Sequence, residues 1–185
     1  MAIQSVACIS ITILLLCLVQ VRSMPTCQLQ GNLLKKTHHL LRDMGGNFPA
    51  QCQQDNVILA FPASAFNTSG AQQRRETTKA IHQTLERIGS LFADEDLPSA
   101  WDQKKLEDFL ELVYRLTEES RCVSSSVDGD DGSETLKAFF DGLTGIVIDK
   151  SSSFCVWEVV RRELLSTLQF ILKNHSDCLF WPMRT

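Results

Sequence analysis

The chain has 185 residues, a length that favours one compact domain, and its composition is close to the globular average. Apolar residues make up 44% and charged residues 22%, with only 9 glycines and 5 prolines, which excludes collagen-like, disordered and low-complexity classes. The formal net charge of −4 leaves no uniform positive field, so nucleic acid and anionic membrane surfaces are not expected partners.

The first 23 residues have the composition of an export signal. An almost unbroken apolar run from Val6 to Val19 carries no acidic residue and is short for a membrane span of about 20 apolar residues. Val21 and Ser23 occupy the two positions that a signal peptidase reads. We therefore predict cleavage after Ser23, secretion, and one helical domain at 24–185 that does not insert into the membrane. No Lys or Arg precedes the run, so retention as an anchor is the alternative.

Cysteine usage fits an oxidising compartment. Cleavage would remove Cys8 and Cys17 and leave an odd number of thiols, which should pair except for one. Spacing alone does not choose among the possible pairings, and the chain has no Cys-x-x-Cys motif to suggest a zinc ribbon or a thioredoxin-like site. The remaining cysteines are Cys27, Cys52, Cys122, Cys155 and Cys178.

Two amphipathic helices and a long connection are predicted in the first half. Helical spacing of apolar residues starts near Leu29 and stops at Gly45 and Gly46. Residues 47–70 contain an apolar cluster but no sustained period, which predicts a long connection that packs along the domain. The second helix should begin near Gln72 and end before the acidic, proline-containing break at 94–98.

Three further helices are predicted in the second half. The third should follow a cap at Ser99 or Asp102 and run to about Arg121, and the polar residues 124–132 should form an exposed loop.

Ser133 is predicted to cap the fourth helix, which should be short because Gly142 and Gly145 weaken it by roughly 1 kcal/mol each. The last helix should be capped within 151–153 and end near Asn174.

This pattern predicts an all-α fold, since no segment alternates with period two and no internal repeat occurs. One long connection among short ones suits the crossover topology of secreted cytokines. We expect a five-helix long-chain cytokine bundle, up-up-down-down with a long first connection.

Motifs for metal binding or catalysis are missing. None of the four histidines follows a glutamate by three residues, as a di-iron bundle requires, and the acidic run from Asp128 lacks the Gly and Glu of a calcium loop. His82 and Glu86 fit a surface pair better than a catalytic dyad. No phosphate-binding loop, nucleophile elbow or zinc helix occurs. We therefore expect neither an enzyme nor a bound metal or cofactor.

Two sequons and one arginine pair are candidate surface features. Asn67 lies in the long connection and Asn174 at the end of the last helix, and both are candidate glycosylation sites. Arg161 and Arg162 lie outside the apolar stripe of the last helix, either on a solvated face or in an interface. Trp157 lies in that stripe and is expected in the core.

The last helix resembles a known family. Residues Cys155 to Arg161 read Cys-Val-Trp-Glu-Val-Val-Arg, closely similar to the Cys-Ala-Trp-Glu-Val-Val-Arg signature of type I interferons. As in that family, Phe61-Pro62 follows Cys52, and Cys122 ends the third helix. The valine at 156, the extension at 24–26 and the acidic insert at 94–97 resemble the four-cysteine branch of fish type I interferons.

The resemblance implies disulfides between Cys27 and Cys122 and between Cys52 and Cys155, with Cys178 as the extra thiol. It also implies that one surface binds one chain of a heterodimeric class II cytokine receptor, and that the opposite side of the bundle binds the other. The contacts carried over by position are Arg161, Arg162, Leu165, Ser166 and Gln169 in the last helix, and Gln53 and Asn56 in the connection.

At Gln53 and Asn56 the family more typically has Leu and Arg, so an apolar anchor and a charge are missing here.

We expect a secreted, monomeric antiviral cytokine that acts through JAK-STAT signalling. A helical carrier with an apolar cavity lined by Phe139, Phe140 and Trp157 is the alternative, and a hydrolytic enzyme has no supporting residues.

Overall fold

A computed structural model describes residues 27–55, 59–66, 73–93, 97–123, 131–149 and 153–182, without the side chains of 55 and 131–133. The predicted export signal and cleavage site lie outside the described residues. So do Asn56, one of the expected contacts, and the sequon at Asn67.

Five α-helices account for most of the described chain, and these residues form no β-strand. An isolated parallel bridge pairs Gln30 with Phe180, and short 3₁₀ turns lie in the connections and after the last helix. The all-α bundle prediction is confirmed. The helices are α1 (Gly31–Gly45), α2 (Gln73–Leu91), α3 (Gln103–Ser120), α4 (Asp131–Asp149) and α5 (Phe154–Asn174).

Several predicted helix ends are confirmed by their caps. The Asp102 carboxylate accepts a hydrogen bond from the Lys105 backbone N–H at 3.1 Å, and the Ser153 hydroxyl accepts one from Val156 at 3.4 Å. The hydrogen bond from the Lys105 side chain is the main cause that lowers the pKa of Asp102. Helix α1 stops at Gly46, whose φ of +67° is a left-handed conformation that glycine adopts without a Cβ clash.

Helix α4 differs from the prediction in its start and length. It begins at Asp131, two residues before the expected cap Ser133, and spans 19 residues, whereas the sequence predicted a short helix. Gly142 and Gly145 lie inside it. Its apolar face is buried in the core, and tertiary burial of such a face outweighs a propensity cost of about 1 kcal/mol per glycine.

Helix neighbours define two sides of the bundle. Helix α1 packs against α3 and α5, whereas α2 packs against α3 and α4. A groove lies between α2 and α3, and none of its described lining residues belongs to α5. The connection before α2 packs along the domain as predicted: its Phe61 ring lies 5.5 Å from that of Phe139 in α4 and 5.1 Å from that of Phe170 in α5.

Candidate functional site

Two disulfides join segments that lie far apart in the sequence. Cys27 is bonded to Cys122 and Cys52 to Cys155, the pairs that the family resemblance implies. The second bond joins the long connection to the first turn of α5, with 5.0 Å between the two Cα atoms. Cys178 is a free, partly buried thiol, and burial is the main cause that raises its pKa.

Arg161 is buried and joins α5 to the end of α1. Its guanidinium donates to the carbonyls of Leu41, Arg42 and Gly46 at 3.0 to 3.3 Å. It also donates to both carboxylate oxygens of Glu158, at 2.6 and 3.2 Å. These five contacts match the five N–H donors of an arginine side chain, and they place a cation where the α1 dipole is negative.

Trp101 completes this buried network from the connection before α3. Its indole N–H donates to Glu158 at 2.6 Å, and its ring packs edge-on against that of Trp157. Trp157 is fully buried, which confirms its predicted core position. The contact between Trp101 and Glu158 could not be predicted from the sequence, because the two residues lie 57 positions apart in different elements. The spacing of Glu158 and Arg161 by three residues on one helix is a recognisable ion-pair signal.

The prediction that Arg161 lies on an exposed face is wrong, because only 2% of the residue is accessible to solvent. All of its donors are directed into the protein. Its burial results from tertiary packing. The last carbonyls of α1 have no partner within the helix, and the Arg161 guanidinium donates hydrogen bonds to them. A direct receptor contact by this side chain would require breaking the network.

The other predicted α5 contacts form a continuous outer face. The Arg162 side chain is 30% exposed, donates to the Glu163 carboxylate at 2.7 Å and lies 5.1 Å from the centre of the Phe48 ring. Leu165 is half-buried, and Ser166 and Gln169 are exposed. We call Arg162, Leu165, Ser166 and Gln169 the α5 face.

The connection carries the remaining expected contact beside this helix. Gln53 is exposed and follows Cys52, which is bonded to the first turn of α5. Phe48, earlier in the same connection, lies under the Arg162 guanidinium, so two separate segments share one surface. Asn174, the described sequon residue, is exposed, and its amide donates to the Phe170 carbonyl at 3.1 Å.

His82 is not the surface residue that the sequence predicted. It is fully buried, with Nδ1 2.8 Å from the Ser120 hydroxyl oxygen and Nε2 3.2 Å from the exposed Glu86 carboxylate. The Ser120 hydroxyl donates to the Leu116 carbonyl at 2.6 Å and is also buried, so no substrate could reach it. The group is a structural contact between α2 and α3.

The carrier alternative finds no support in the packing. Trp157 packs against Phe92 and Trp101, whereas Phe139 packs against Phe61. The three rings expected to line one cavity are therefore parts of a packed core.

Two properties of the described residues concern membranes and metals. No described helix combines the length and apolar character that a bilayer crossing requires. Within the same residues, no group of three or more His, Cys, Asp or Glu side chains is arranged to hold a metal ion.

An α-helical bundle with a long disulfide-held connection is the architecture of the helical cytokines. A family model for the interferon alpha/beta domain matches residues 27–177. Human interferon alpha-10 is 31% identical over 140 residues, which cover 71% of this chain and 73% of that protein.

Solved structures agree with this assignment. Zebrafish interferon 2 superimposes with a TM-score of 0.74 and is 35% identical, covering 78% of this chain and 98% of its own. Zebrafish interferon 1 has a TM-score of 0.65 and 26% identity, covering 79% of this chain and 94% of its own.

The chain belongs to the type I interferon family, and its two disulfides fit the four-cysteine branch. Interferons are secreted cytokines that act on cell-surface cytokine receptors. They are not enzymes, so family membership also supports the expectation that this chain has no catalytic activity.

Proposed function

We propose that this interferon is secreted and signals by bringing together the two chains of a heterodimeric class II cytokine receptor, which activates JAK-STAT signalling and an antiviral state. The observation that carries the proposal is the exposed α5 face beside the disulfide-held connection. The Cys52–Cys155 bond restrains the connection beside α5, so less conformational entropy is lost on binding.

The first receptor chain binds the α5 face together with Gln53 and Asn56. Arg162 is its main polar anchor, because a partly exposed guanidinium can engage carboxylates through two parallel hydrogen bonds. Leu165 supplies apolar area in the same stretch of helix, and Ser166 and Gln169 supply hydrogen-bonding groups. Arg161 acts indirectly, by holding α5 against the end of α1.

The second receptor chain binds the other side of the bundle, between α2 and α3. A groove of about 520 Å³ lies there, and Tyr114 at its edge is 68% exposed. An exposed tyrosine beside an apolar groove is typical of residues that contribute strongly to interfaces.

The test uses the purified receptor ectodomains and cells that express one or both receptor chains. Arg162→Glu should weaken capture by the first ectodomain at least about tenfold, because charge reversal adds repulsion to the lost contacts. Tyr114→Ala should leave that capture intact while reducing STAT phosphorylation in cells that express both chains.

Lys137→Glu is the matched control, since it reverses an exposed charge on α4 that pairs with Asp141. It should change neither readout. Unaltered capture by Arg162→Glu, in protein with wild-type circular dichroism and melting, would contradict the first surface.

We also propose export with cleavage after Ser23, a monomeric secreted form and use of the sequons at Asn67 and Asn174. The exposure of Asn174 supports its accessibility to the glycosylation machinery. Mass spectrometry of the protein from culture medium, before and after glycosidase treatment, would test the mature terminus and each sequon.

A further inference from the structure

A shallow groove of about 390 Å³ lies between α1 and α5, at the end that the C-terminal tail covers. Basic side chains line it from both helices, and the described lining residues include no carboxylate. Its cationic and aromatic members are Lys35, His38, His39, Arg42, Lys173 and Trp181.

The lysines supply most of the free positive charge of the groove at neutral pH. Lys35 and Lys173 are exposed and form no ion pair with a described residue, whereas the Arg42 guanidinium donates to Asp43 at 2.7 Å. Burial, followed by the charges of His39 and Arg42, lowers the pKa of His38, which disfavours its charged form.

Trp181 forms a fixed aromatic surface in the groove. Its indole N–H donates to the Ser176 carbonyl at 2.9 Å, and its ring covers Gly31 so closely that a Cβ there would lie 2.5 Å from a ring carbon. The preceding Phe180 exchanges backbone hydrogen bonds of 2.8 Å with Leu29 and Gly31. The residue is nevertheless 41% exposed.

We propose that this groove binds a sulfated glycosaminoglycan. Sulfate groups form charge-assisted hydrogen bonds with lysine, and the electropositive C–H faces of a sugar ring pack against the electronegative face of a fixed indole. An acidic peptide would use the lysines but has no sugar face for the ring. Because the chain carries a net charge of −4, general attraction to polyanions is absent and binding has to be local.

The function of this site would be retention of the secreted protein at polysaccharide-rich surfaces. Gln169 of the α5 face also lines the groove, so the two proposed sites adjoin. Heparin binding is measured without receptor, and its failure would leave the proposed function unaffected.

Surface plasmon resonance on an immobilised heparin dodecasaccharide tests the proposal with protein secreted from the full chain. At about 0.15 M salt, the double variant Lys35→Ala/Lys173→Ala should bind at least about tenfold more weakly, with a shallower salt dependence. The control Lys104→Ala/Lys137→Ala removes two exposed lysines from α3 and α4 and should bind within about twofold of wild type.

Trp181→Ala tests the sugar contact separately. It should weaken heparin binding while leaving the salt dependence unchanged, because it removes no charge. Three results would overturn the proposal: no heparin binding by the wild-type protein, equal losses in the groove and control variants, or equally strong binding to polyglutamate of matched charge.

Discussion

Arg161 shows how one side chain can organise a surface without belonging to it. The Arg161 side chain is buried, and its guanidinium donates hydrogen bonds to the carbonyls of Leu41, Arg42 and Gly46 at the end of α1. The same group neutralises the buried Glu158 carboxylate, to which the Trp101 indole also donates. A charged pair is retained in the core because every polar atom of the two side chains has a partner.

Arg161→Ala should lower the free energy of unfolding by roughly 3 to 5 kcal/mol, because Glu158 would remain buried with its charge unpaired. Guanidinium denaturation followed by circular dichroism measures this change. Arg161→Lys should also destabilise the protein, since a single ammonium cannot reproduce the planar fork.

Arg162→Ala is the adjacent control, and it should cost less than about 1 kcal/mol because its pair with Glu163 is partly exposed. Equal effects of the two alanine variants on stability would contradict the distinct roles assigned to the neighbouring arginines.

At the scale of elements, the approach of α5 to the end of α1 depends on Gly45. A Cβ at this position would lie 2.5 Å from Arg161 Nε and 2.8 Å from a Glu158 carboxylate oxygen. Gly145, inside α4, differs because a Cβ added there would have no described neighbouring atom within 4 Å. Gly45 is therefore required by packing, whereas Gly145 only lowers the helix propensity of α4.

Gly45→Ala should destabilise the protein by about 1 to 3 kcal/mol, since the added methyl group displaces a buried hydrogen-bonded pair. Gly145→Ala should stabilise it by roughly 0.5 to 1 kcal/mol through the better helix propensity of alanine. Differential scanning calorimetry of both variants measures whether each substitution raises or lowers the stability of the protein. A stabilised Gly45→Ala protein would show that the contact with Arg161 is easily relieved.

At the scale of the whole molecule, the two disulfides constrain different parts of the bundle. Their sequence separations of 95 and 103 residues are similar, so their effects on the entropy of the unfolded chain should also be similar. Only the Cys52–Cys155 bond joins segments that form the proposed receptor surface. The Cys27–Cys122 bond joins the start of the described chain to the turn after α3.

Replacing both Cys52 and Cys155 by serine should reduce stability by about 2 to 5 kcal/mol and also weaken receptor capture, because the connection is released from α5. Replacing Cys27 and Cys122 should reduce stability by a similar amount while preserving capture at temperatures where the variant is folded. Calorimetry and ectodomain binding measure the two effects. Equal loss of binding in both variants would mean that stability alone controls the interaction.

Local patterns were sufficient to predict most of the fold. Apolar periodicity placed five helices, and Gly46 marked the end of α1. Of the alternative caps that the sequence offered, Asp102 rather than Ser99 caps α3, and Ser153 within 151–153 caps α5. These features could be predicted because caps and amphipathic faces depend on residues a few positions apart. Trp157 could be assigned to the core for the same reason. The cysteine pairs followed only from family resemblance, since spacing leaves several pairings open.

Tertiary structure alone decided which polar residues of the helices are buried. Neither the 2% exposure of Arg161 in α5 nor the burial of His82 in α2 follows from its own helix. The carbonyls at the end of α1 that accept from Arg161, and the Ser120 hydroxyl that contacts His82, lie in other elements. The length of α4 was underestimated for a related reason: burial of its apolar face compensates for two glycines. Contacts between distant segments thus determined the site, whereas contacts within segments determined the helices.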